Sequence, residues 1–245
     1  MNDTIDFQIV TENIASILEP HERVVEYISP SWNFIIVFLA MLMMVLNKQL
    51  FTQRFRTMLA VFFQPSDFDK MLREWNPVMS VNGLSFFITY VALLGLIIQK
   101  TVVVFSGKTM LYSGWGFYVD VCLFIATILI LQYLFINLYG WLFGFEAATN
   151  HHEVTHLSCM TWLNIVMIVF GLVILFYPTK IILSITIIVL LIITGVRVIK
   201  TFFEFQILSK MNLFNIFLYL CTLEIIPLSV AITMLRRLIV TNCVL

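Results

Sequence analysis

Long runs of residues almost free of charge constrain this chain more than any other feature. Between Ile181 and Ile199 a single ionisable side chain, Arg197, interrupts nineteen otherwise uncharged residues. In hydrocarbon a backbone must satisfy its own hydrogen bonds, and a helix of about 20 apolar residues matches the thickness of a bilayer core. Six stretches approach that length: roughly Ser31–Leu50, Val81–Gln99, Trp115–Leu138, Leu157–Tyr177, Ile181–Ile199 and Leu213–Leu235. Composition agrees. The 245 residues are 61% hydrophobic and 11% charged, against about 45–50% and about 25% in a soluble domain. A chain of this length cannot bury so much apolar surface from water. The expected fold is an all-α polytopic transmembrane helix bundle of about six spans, or five if Val81–Gln99 re-enters without crossing. Its main partner is the lipid bilayer. The 14 basic residues balance the 14 acidic ones and form no stripe, so nucleic acid is excluded as a partner.

The few charges are unevenly placed. Residues 1–30 carry Asp3, Asp6, Glu12, Glu19, Glu22 and Glu26 against Arg23. This acidic segment lacks the basic start and immediate apolar core of a cleavable signal. The loop after the first stretch holds Lys48, Arg54, Arg56, Lys70 and Arg73. Short basic loops stay in the cytoplasm, so the acidic N-terminal segment is expected outside and this loop inside. Residues 31–245 then form one transmembrane domain. Later bases divide almost evenly between the two sides, which leaves the side of the C-terminus open.

Within the basic loop, Phe51, Phe55, Met58, Leu59 and Phe62 recur at helical spacing, and Pro65-Ser66-Asp67 starts a second short helix with Phe68, Met71, Leu72 and Trp75. Such a pair, at about residues 51–75, either lies on the bilayer as interfacial amphipathic helices or packs on the bundle. Trp32, Trp115, Trp141 and Trp162 fall near the ends of the apolar stretches, the depth tryptophan prefers. Cys122, Cys159, Cys221 and Cys243 form no CxxC and read as small buried hydrophobes.

Three groups of residues have chemical potential. His152-Glu153-Val154-Thr155-His156 matches H-E-x-x-H, in which helical histidines at i and i+4 share a zinc ion and the glutamate serves as general base. A third ligand would have to come from Glu146, Asp120, Glu204 or Glu224; the alternative is a polar loop between the third and fourth spans. Glu224 sits in the middle of the last stretch, three residues before Pro227, which cannot donate to the carbonyl of Leu223. Asp120 lies inside the third stretch, with Lys100 as a possible partner at the same membrane face. Intramembrane ionisable groups serve transport or pin helices together. Gly140 and Gly144 form a G-x-x-x-G that allows close helix approach. Asn137, Asn164 and Asn215 suit interhelical hydrogen bonds.

The runs Phe55-Arg56-Thr57-Met58-Leu59-Ala60-Val61-Phe62-Phe63 and Pro65-Ser66-Asp67-Phe68-Asp69-Lys70-Met71-Leu72-Arg73-Glu74, and the segment Tyr219-Leu220-Cys221-Thr222-Leu223-Glu224-Ile225-Ile226-Pro227, carry a resemblance. With Gly171 before an apolar run ending at Pro178, they resemble a family of small multi-pass membrane proteins of Bacteroidota, classed as a domain of unknown function. The likeness covers nearly all of the chain after about residue 30. It implies a bacterial inner-membrane location and no established activity. Glu224 and Pro227 lie within the family-like segment, whereas the His152–His156 pattern does not belong to it. The resulting expectation is a non-catalytic subunit or scaffold of a cell-envelope complex, needing no cofactor and packing with other membrane proteins. The alternatives are a proton- or ion-coupled carrier using Glu224 and Asp120, and a zinc intramembrane protease using His152, Glu153 and His156.

Overall fold

The computed structural model describes residues 31–63, 81–106, 114–144 and 146–209, together with Ser229 and Thr233. Six helices make up this part: α1 (Ser31–Leu50), α2 (Thr52–Val61), α3 (Val81–Ser106), α4 (Trp115–Phe143), α5 (Glu146–Phe176) and α6 (Lys180–Ser209). All but α2 are long and apolar enough to cross a membrane. They correspond to the first five expected stretches; the sixth, Leu213–Leu235, lies outside the described residues, as do the acidic N-terminal segment and the second short helix at residues 66–75. Val81–Gln99 belongs to a continuous helix of 26 residues, about 39 Å long at 1.5 Å per residue, which is sufficient to cross.

The five long helices alternate in direction. At one end of the bundle, Asn47 Nδ2 near the end of α1 donates to Ser85 Oγ near the start of α3 (2.7 Å). At the other, Gln99 Nε2 near the end of α3 donates to the carbonyl of Gly114, just before α4 (3.2 Å). α4 and α5 are joined by Gly144 in the left-handed conformation (φ 71°), whose N–H returns to the carbonyl of Gly140. Glycine adopts that backbone shape without strain, which ends the helix sharply. Tyr177-Pro178-Thr179 turns α5 into α6, because proline cannot continue the helix.

α3 is the most enclosed span and α6 the least, with 56% and 11% of their apolar windows buried. The main core joins Val37 and Ala40 of α1, Leu93 and Leu96 of α3, Leu163 and Met167 of α5 and Leu183 of α6. Close approach depends on small residues. A Cβ on Gly140 would lie 2.5 Å from Thr149 Oγ1, and one on Gly95 would lie 2.5 Å from Cys122 Sγ. Gly140 therefore makes the expected helix contact, between α4 and α5. Gly144, expected beside it, has nothing within 4 Å and acts instead as the helix cap.

α2 packs on the bundle. Met58 and Val61 are fully buried in a second core with Met44, Phe86, Val154 and Leu157. Arg54 and Arg56 stay exposed.

Candidate functional site

The polar interior of the bundle falls into two groups. One closes the end of α2. The last carbonyls of a helix have no partner within it, and in an apolar bundle each would be costly to leave unmet. Here each finds a donor. Ser158 Oγ of α5 donates to the carbonyl of Met58 (2.6 Å) and Trp162 Nε1 to that of Leu59 (3.3 Å). The N–H of Phe63 reaches Ala60 (2.9 Å). Lys200 Nζ of α6 donates to the carbonyls of Val61 (2.9 Å) and Phe62 (2.8 Å), with the Phe62 ring 5.5 Å away. A cation at a helix C-terminus also opposes the negative end of its dipole. Sequence reasoning did not single out Ser158 or Lys200. Trp162, expected at a span end, lies sixteen residues after the start of α5, because α5 begins at Glu146 and not near Leu157.

The second group surrounds His152, Glu153 and His156. These residues are helical, in α5 and in its membrane-spanning window; the polar-loop alternative is thereby corrected. Thr149, His152 and Thr155 recur every three residues and are all buried, so this polar first part of α5 faces protein. A cleft of about 280 Å³ opens between α3, α4 and α5. Its walls include Leu84, Phe87, Leu129, Ile136 and Met160, and its polar end holds Gln132, Tyr133, His152, Glu153 and His156. Asn137 stands beside Glu153, and Arg197 of α6 is within electrostatic reach of both histidines.

Several features weigh on the zinc pattern. The two imidazole rings lie 6.3 Å apart between centroids and nearly parallel, at 20°. Among the described residues no three His, Cys, Asp or Glu side chains group to hold a metal. A guanidinium near both histidines also opposes a further dication. Of the possible third ligands, Asp120 is thirteen residues before Tyr133 on α4, about 20 Å along the helix. The side chains of Glu146 and Glu204 and the whole of Glu224 are outside the described residues, as is Pro227. The described residues thus supply two histidines and no third donor.

The remaining candidates separate. Asp120 is exposed on α4, whereas Lys100 is fully buried on α3, so the expected partners occupy different surroundings. Asn164 Nδ2 donates across to the carbonyl of Phe86 (3.0 Å) as interhelical glue. Asn137 bonds the carbonyl of Tyr133 in its own helix (3.2 Å) and also reaches the Glu153 carboxyl across to α5; Asn215 lies outside the described residues. Cys159 is buried and Cys122 half-buried, and neither forms a disulfide; Cys221 and Cys243 lie outside the described residues.

Alternating apolar helices held by polar pins define an all-α multi-pass membrane protein. The chain belongs to the DUF4271 family, a domain of unknown function, whose model matches residues 33–235. No curated protein and no solved structure matches it.

Proposed function

We propose that the chain is a non-catalytic subunit or scaffold of a bacterial inner-membrane complex, with its acidic N-terminal segment outside the cytoplasm. The observation that carries this reading is the use of the bundle's polar side chains. Asn47, Gln99, Ser158, Trp162, Asn164 and Lys200 each donate to another element of the chain, as does the Tyr118 hydroxyl to the carbonyl of Ala92 (3.2 Å). These groups fix helices in place. The basic loop after α1 supports the orientation, and the family resemblance supports the membrane.

α6 supplies the surface for a partner. Ile185, Ile188, Ile192, Val196 and Ile199 follow one another at three- and four-residue steps, each 47–60% exposed. Purification in mild detergent tests the reading. A stoichiometric protein partner is expected, lost when Ile188 and Ile192 are both replaced by tryptophan. A chain that purifies alone, with cells indifferent to those changes, contradicts it. Elemental analysis is expected to find less than one zinc per chain; one zinc, lost in His156→Ala, together with cleavage abolished by Glu153→Gln, would establish the protease alternative.

A further inference from the structure

Apart from Leu157, which also packs in the core beneath α2, the cleft beside Glu153 takes no part in the contacts that hold α2 or join the helix ends. At about 280 Å³ it falls just below the range for drug-sized ligand sites, roughly 300–1,000 Å³. Two of its lining residues, Leu84 and Ile130, are 59% and 49% exposed. Ile130 stands at the middle of the 29 residues of α4, so the cleft reaches the outer face of the bundle part-way along a span. Leu84 and Ile130 both fall within the apolar windows of their helices, so an occupant can enter here from the lipid.

The inner end of the cleft selects the chemistry. Asn137 donates to the Glu153 carboxyl, but its buried Oε1 has, among the described residues, no hydrogen-bond partner. An unmet carboxyl oxygen in apolar surroundings calls for an O–H or N–H. Gln132 and Tyr133, on the facing helix, can both donate and accept. The Arg197 guanidinium near the histidines and the Glu153 carboxyl put groups of opposite charge type at the polar end, so the setting favours neither a cationic nor an anionic head.

We propose that this cleft binds a membrane-dissolved amphiphile with a small, uncharged, hydroxyl-bearing head. The hydroxyl donates to the Glu153 carboxyl and accepts from Gln132 or Tyr133, and the alkyl chain leaves between Leu84 and Ile130. This goes beyond the scaffold reading and does not depend on it.

Photolabelling of the full chain in lipid nanodiscs tests the proposal. The probe is a sixteen-carbon primary alcohol with a diazirine near its head. Its adducts are expected to concentrate on cleft residues such as Phe87, Leu129 and Met160, and to fall at least fivefold with excess hexadecanol. Met160→Trp, which fills the cleft, is expected to reduce them as much, and Glu153→Leu about three- to tenfold. Matching fatty-acid and quaternary-ammonium probes should label these positions several-fold less. Adducts spread equally over Ile188 and Ile192 of α6, with no competition by hexadecanol, would overturn the proposal. Equal labelling by either charged probe would overturn the uncharged head. Both of these readouts use the unmodified chain, so a variant that fails to fold does not blunt the test.

Discussion

A single ammonium group, that of Lys200, meets the last two carbonyls at the end of α2. Hydrogen bonds to a charged group contribute about 1.5–3 kcal/mol, and stranding a buried acceptor costs a similar amount. Lys200→Met is therefore expected to destabilise the bundle by roughly 2–4 kcal/mol, measured by unfolding in detergent. An unchanged midpoint would show that water meets those carbonyls instead. Gly140 offers a sharper geometric test. Alanine there adds helix propensity of about 1 kcal/mol, yet its Cβ would meet the branched side chain of Thr149 at 2.5 Å. Overpacking of this kind costs typically 1–3 kcal/mol, so Gly140→Ala is expected to lower stability, with partial recovery on adding Thr149→Ala. Recovery follows because only the Thr149 Cβ, 3.1 Å away, then remains close. A gain from Gly140→Ala alone would mean that the helices move apart freely. The contact at Gly140 was legible as a G-x-x-x-G, but the pairing of glycines was not: Gly144 serves backbone shape, which spacing alone does not distinguish from packing.

Element boundaries show where hydropathy succeeds and where it misleads. α1 runs from Ser31 to Leu50 as its apolar run indicates. α5 begins eleven residues before its apolar run, because Thr149, His152 and Thr155 are buried against protein and not lipid. A hydropathy window reads such residues as the end of a span, since it cannot know which face meets a neighbour. The choice between a surface and a packed position for α2 was open for the same reason: the donors that close its end come from Ser158, Trp162 and Lys200, about a hundred or more residues away in sequence. The packing is testable at this scale. In a cysteine-free background, Cys at 54 or 56 is expected to react readily with a water-soluble maleimide, and Cys at 58 or 61 to resist it, as their burial dictates. Equal reactivity at all four sites would place α2 on the surface.

For the whole molecule, a membrane bundle of the DUF4271 family, the scaffold proposal requires a protein partner. The bundle's fold class was legible from composition and run length, because lipid leaves few alternatives to a bundle of spanning helices. Its function was less so: the H-E-x-x-H match describes spacing on one helix, whereas a metal centre needs a third side chain brought from elsewhere, and the described residues bring none. Between helices already in lipid there is little hydrophobic drive to associate, so a partner must be recognised by fit along a defined face. The most direct measurement is photocrosslinking in living cells from single positions on α6, at Ile185, Ile188, Ile192 and Val196, with inward-facing Leu183 as the control. The scaffold account predicts one discrete protein adduct of constant mass at the exposed positions and none at Leu183. Lipid adducts alone at every exposed position would contradict it.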